Sequence, residues 1–150
     1  MGTTNIPARG ARAYPAGHRI GARSQGAEGI ANGVDMKRLR DVKLAPVERK
    51  ALHAFSRQLK ESLGKRLVSL YLFGSKARGD FQKDSDLDVY ILVRKKSGIV
   101  ARKISKVTAD VLDDYDVLVS PVSYDLREEE VNVRMRSFFF EAVRKEGIAI

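Results

Sequence analysis

Two apolar runs set the pattern of hydrophobic positions along the chain: Leu67 to Phe73, broken only by Ser69, and Leu87 to Val93, broken only by Asp88 and the phenol of Tyr90. Such short continuous runs predict two buried strands. Upstream, Pro46 opens a stretch in which Leu52, Phe55, Leu59 and Leu63 recur at helical spacing until Gly64. That spacing predicts an amphipathic helix with proline in its first turn and Glu48 near its N-terminal dipole. His53 lies beside the apolar stripe and is expected at the surface. Ser97 and Gly98 open a second helix whose buried face is Val100, Ile104, Val107 and Val111. Tyr115 to Ser123 alternates as a third strand, with Asp116, Leu118 and Ser120 on one face and Val117 and Val119 on the other. Pro121 places that strand at an edge or ends it early. Asp125 suits a helix cap, Leu126 to Arg136 reads as a charged helix, and a short helix from Ser137 is stopped by Gly147 before a terminal strand over Ile148 to Ile150. Phe138, Phe139 and Phe140 cannot all face one core, so one of them is expected to point to solvent or to a partner.

These elements predict an α/β (α+β) domain over residues 36–150, with a mixed sheet of three or four strands flanked by helices. Met1 to Asp35 holds seven of the twelve glycines and four arginines with almost no periodic apolar positions, and reads as a disordered extension.

The chemistry concentrates between the first two strands. Side chains alternate along a strand, so Asp86 and Asp88 project from one face, roughly 6.6–7 Å apart. Two like charges at the start of a buried strand need something to offset them, and a divalent cation is the usual agent. Gly74 and Ser75 follow directly on the first strand, where a residue without Cβ lets backbone N–H groups approach a phosphate and the serine hydroxyl adds a donor. Lys76, Arg78 and Lys83 stand between turn and aspartates, so a nucleotide would meet cations on its phosphate side. A metal pair about 3.5–4 Å apart stabilises attacking and leaving oxygens of a displacement on phosphorus.

At these residues the chain resembles the nucleotidyltransferase superfamily that includes DNA polymerase beta, and most closely its small stand-alone members, the minimal nucleotidyltransferases. Their pattern is an apolar strand, Gly-Ser, a spacer of about ten residues and an Asp-x-Asp strand. Here it stands as LFGSKARGDFQKDSDLDVYILV, with ten residues, Lys76 to Ser85, in the spacer. Arg78-Gly79 and Ser85-Asp86 match further family positions. The resemblance, which covers residues 45 to 150, implies transfer of a nucleoside monophosphate from an NTP, ATP above all, to a hydroxyl with release of pyrophosphate. It implies that Asp86 and Asp88 bind Mg²⁺, two ions in all, that Gly74, Ser75 and Ser85 hold the nucleotide with help from Lys76 and Arg78, and that Asp116 is the third carboxylate, completing the metal shell or activating the acceptor. It also implies a role as the antitoxin of a pair with a helical HEPN-type toxin that is modified by AMP on a tyrosine. Two rivals are transfer to a small molecule, such as an aminoglycoside, or to RNA, and a binding module that neutralises its partner by contact alone.

Composition narrows the picture further. A chain of 150 residues, 43% hydrophobic, has material for one core of ordinary size. With no cysteine there is neither disulfide frame nor thiolate nucleophile, and two histidines, His18 and His53, are too few for a histidine metal cluster. No apolar stretch approaches the ~20 residues of a membrane helix and no secretory block opens the chain, so a cytoplasmic protein without membrane contact is expected. The net charge of +9 invites nucleic acid, but Lys and Arg are spread along the sequence and no aromatic-plus-basic RNA motif accompanies them. A nucleic-acid partner is therefore not favoured.

Overall fold

The computed structural model describes residues 38–150; the extension expected over residues 1–35 lies outside the described residues. Pro46–Leu63 forms α1, whose Glu48 reaches back to accept the Ala45 N–H at 2.8 Å, and Gly64 closes the helix with φ +52°. A short turn then feeds β1 (Leu67–Phe73), α2 (Gly74–Arg78), β2 (Leu87–Val93), α3 (Gly98–Tyr115), β3 (Val119–Asp125), α4 (Leu126–Arg134), α5 (Phe138–Glu146) and β4 (Ile148–Ala149). The four strands make one sheet in the order β3-β2-β1-β4. β1 runs antiparallel to β2 and to β4, while β2 and β3 are parallel. A parallel pair cannot be joined by a tight turn, and α3 supplies the crossover. Pro121 stands on β3, an edge strand, where a missing N–H costs least.

Both faces of the sheet are covered, which is why its central strands read as continuous apolar runs. Leu70, Leu72, Leu87, Val89, Ile91 and Val93 face α1 and α3 and form the larger core with Leu52, Phe55 and Leu59. The opposite face carries Tyr71, Phe73, Tyr90, Leu92 and Tyr124 beneath Phe139, Phe140 and Val143 of α5. Rings there meet at 5.9 Å for Tyr90 and Tyr124 and 4.8 Å for Tyr124 and Phe140. The one polar atom that Tyr90 brings inside, its hydroxyl, donates to Glu129 Oε1 at 3.1 Å.

The three consecutive phenylalanines divide as a helix must divide them. Phe140 is 2% exposed, Phe139 joins the ring cluster, and Phe138 is 88% exposed. Phe140→Ala is therefore expected to destabilise the domain by about 3–5 kcal/mol and Phe138→Ala by no more than about 0.5 kcal/mol, a contrast that urea melts of the two variants will resolve.

The third strand differs from expectation. α3 continues to Tyr115 and is closed by Asp116 in the left-handed region, φ +53°, so β3 begins only at Val119. Aspartate tolerates that conformation better than most residues. Val117, 9% exposed, packs into the core from the loop and mimics a strand residue.

Candidate active site

The register of the sheet brings the Gly-Ser segment to the aspartates. Phe73, the last residue of β1, pairs with Asp88 of β2, so the chain leaves β1 at Gly74 directly against Asp88. A Cβ on Gly74 would overlap Asp88 Oδ2 and lie 3.2 Å from its Cγ, and Gly74 has φ +73°. Both constraints require glycine. Gly74→Ala is expected to displace Asp88 and to reduce nucleotide transfer more than about tenfold, with a melting temperature lowered by the strain of roughly 1–3 kcal/mol; steady-state rates and thermal melts separate the two effects.

The segment after β1, expected as a turn, is instead the single helical turn α2. Phe73 offers its first turn no side-chain cap, and the start of a helical turn, where backbone N–H groups point outward along the axis, suits an incoming anion. Gly79, at φ +91°, ends the turn and starts the loop that returns to β2. Ser85 accepts the Gln82 N–H at 2.9 Å and so shapes that loop.

Asp86 precedes β2 by one residue and Asp88 is its second, and alternation puts both on the face that carries Tyr90. Ser120, opposite Asp88 in the parallel register, donates its hydroxyl to Asp86 Oδ2 at 3.0 Å and fixes that carboxylate. Burial pushes the Asp88 carboxyl above the usual carboxylate range, the charge of Asp86 pushes it further, and Arg78 only partly counters them. Two half-buried carboxylates that repel one another, with one oxygen already fixed by a hydroxyl, are a donor set that fits a divalent cation. Asp86 and Asp88 would hold it, and a cation there supplies Lewis-acid stabilisation of charge on a reacting phosphate.

Three of the expected site residues stand elsewhere or are otherwise engaged. Asp116 does not join this pair: it is exposed at the end of α3, three residues before β3 begins. Among the described residues, no third carboxylate or histidine completes a metal-binding group with Asp86 and Asp88. Two ions would thus need oxygens from the substrate. Lys76 does not face a nucleotide either. It is 1% exposed, its Nζ meets Glu48 Oε1 at 2.6 Å, and the same ammonium sits 4.1 Å from the centre of the Phe81 ring. Arg78 does stand near Asp88, but its guanidinium is engaged by Asp80 at 3.1 Å and Glu146 at 3.2 Å, which hold its pKa up. A phosphate would draw Arg78 away from carboxylates it already touches.

Two residues complete the arrangement in roles that the sequence did not indicate. Ser120 was visible as a member of the third strand, but only the register opposite Asp88 gives it a partner. Glu48 holds the Ala45 N–H with one oxygen and Lys76 with the other, tying the start of α1 to the residue after Ser75. No local signal relates positions 48 and 76.

The chain is similar to several known proteins. The family model described as a nucleotidyltransferase domain matches residues 52–145. Two Methanocaldococcus jannaschii proteins, each named "Putative protein adenylyltransferase", are 31% identical to the chain; one aligns over 64% of this chain and 91% of its own length, the other over 67% and 94%. Among solved structures, one described as a "putative minimal nucleotidyltransferase" is 23% identical with a TM-score of 0.48 over 71% of this chain and 97% of that one. A toxin–antitoxin complex, MntA-HpeT, is 21% identical with a TM-score of 0.45 over 65% and 69%. With the family model spanning β1 to β3, the Gly-Ser segment and both aspartates, the chain belongs to the nucleotidyltransferase domain family.

Proposed function

We propose that the protein transfers AMP from Mg²⁺-bound ATP to a side-chain hydroxyl of a partner protein, as the antitoxin of a pair with a helical HEPN-type toxin. The observation that carries the reading is the packing of Gly74 against Asp88, which sets the first turn of α2 beside a pair of carboxylates suited to a cation. In this reading Gly74 and Ser75 hold the triphosphate, Asp86 and Asp88 hold the metal, Ser120 orients Asp86, and Arg78 exchanges a carboxylate partner for a phosphate oxygen. Ser85 contributes by holding the loop before Asp86. Support for protein as acceptor comes from the names of the two archaeal relatives, which the chain covers almost end to end. The toxin partner rests on the sequence resemblance to minimal nucleotidyltransferases.

The test is direct. The purified protein, labelled ATP, Mg²⁺ and the product of the neighbouring gene are incubated together, with Asp88→Asn as control. Label on the neighbour, absent in the control, is the expected result. Label only on added tRNA or small hydroxylated molecules would replace the acceptor, and stable association without label would make the protein a contact-only module.

A further inference from the structure

The end of the sheet away from the aspartates gathers charge that the linear sequence disperses. Leu67 pairs with Val93 while Phe73 pairs with Asp88, so the start of β1 and the end of β2 lie together, roughly 20 Å along the strands from the carboxylates. Lys65 and Arg66 lead into β1, and Arg94 and Lys95 leave β2. The two segments are laced together, for the Arg94 N–H donates to the Arg66 carbonyl at 2.9 Å and Arg94 Nε to the Lys65 carbonyl at 2.9 Å. α3 adds Arg102 and Lys103, the latter placed by donation from its Nζ to the Ser62 carbonyl at the end of α1, 2.6 Å away.

These six cations make no ion pair with any described residue. Arg94 and Lys103 donate to neutral backbone carbonyls rather than to carboxylates. Nearby Lys96 is the exception, held by Glu128 at 2.9 Å, and Asp125, which pairs with Val93 at the end of β3, accepts the Lys96 N–H at 3.4 Å; these acids border the patch on the β3 side and Glu61, on the last turn of α1, on the other. Nothing else in the mechanism uses this surface. Protein interfaces centre on apolar and aromatic residues depleted of charge, whereas the one large apolar side chain exposed over residues 94–103 is Ile99. Without exposed aromatics the patch also lacks the stacking platform on which single strands bind.

We propose that this end of the domain binds the phosphate backbone of a nucleic-acid duplex, independently of sequence and separately from the nucleotide site. Neutralising phosphates releases condensed counterions, so affinity must fall steeply with salt. About four or five engaged cations give a slope near −4 in log affinity against log salt.

Fluorescence anisotropy of the full chain with labelled duplex DNA and, in a second arm, duplex RNA measures this. Two equal charge changes are compared: Lys65→Glu with Lys95→Glu at the patch, and Lys43→Glu with Lys50→Glu near the start of α1, toward the other end of the domain. The patch variant is expected to weaken binding at least tenfold at low salt, and the control variant less than about threefold. Binding is expected to survive saturating ATP, and one arm or both reports which duplex is preferred. Equal losses in the two variants, competition by ATP, absence of salt-dependent binding to either duplex, or equal competition by polyglutamate would each overturn the proposal. Should the glutamate pair unfold the protein by circular dichroism, Lys95→Gln with Arg102→Gln, both exposed, makes the same comparison with a smaller expected loss of about threefold or more.

Discussion

Asp88→Asn is expected to reduce AMP transfer by about 10³-fold or more and to leave the melting temperature unchanged or slightly raised. The rate effect follows from removing a charged ligand of a cation whose Lewis-acid contribution is several kcal/mol, each 1.4 kcal/mol being tenfold. The stability effect follows from the carboxylate's own position. Asp88 is partly desolvated and repelled by Asp86, so its charge does not favour the folded state, and a neutral amide of the same shape removes the repulsion. Asp86→Asn should behave alike, since an amide oxygen still accepts from Ser120. Single-turnover transfer of labelled AMP, paired with thermal melts, checks both halves. Transfer at the wild-type rate would remove Asp88 from the active site, and a large fall in melting temperature would make it a structural residue.

Glu48→Ala is expected to destabilise the domain by about 3–5 kcal/mol, lowering the melting temperature by roughly 10 °C or more. The side chains of Lys76 and Glu48 are only 2% and 15% exposed, so deleting the carboxylate strands an ammonium in a place water does not reach. Phe81 offers that ammonium a ring face, which is far weaker compensation. The paired substitution Glu48→Leu with Lys76→Met leaves no stranded charge, and its loss should be clearly smaller than that of Glu48→Ala. Thermal melts of the two variants decide between a buried ion pair and a simple packing role. Losses of equal size would favour packing. Because the pair anchors the turn that follows Ser75, the single variant should also bind ATP more weakly than its stability alone explains.

Strands β1 and β2 were legible to the residue because both lie in the middle of a sheet covered on its two faces, and burial writes itself into sequence as an unbroken apolar run. The helices α1, α3 and α5 were legible through their period and their caps, Pro46 and Ser97 among them. β3 was displaced because an edge strand has a weaker pattern and because Val117, buried from a loop, continues the alternation backwards past the true start. That displacement carried Asp116 onto the wrong element. Lys76 shows a different limit. Charge and neighbourhood place it with phosphate-binding residues, while its actual environment is decided by Glu48, on another helix, and by Phe81, beyond a glycine-closed turn. The Gly-Ser and Asp-x-Asp elements were readable since their partners are close in sequence and joined by one antiparallel pairing.

The aromatic cluster described above has an optical consequence. The protein contains five tyrosines and no tryptophan, and Tyr71, Tyr90 and Tyr124 meet on the α4–α5 face, with Tyr90 6.4 and 5.9 Å from the other two. Near-ultraviolet circular dichroism depends on rings held in fixed, asymmetric packing and vanishes when that packing loosens. Of the described tyrosines, Tyr115 alone packs on the α1–α3 side. Ellipticity in the tyrosine band therefore reports on the layer that adjoins Asp86 and Asp88, almost to the exclusion of the larger core. Helix content, followed in the far ultraviolet, stays high if α4 and α5 lift while α1 and α3 remain docked. The two wavelengths distinguish an opening beside the carboxylates from unfolding of the domain.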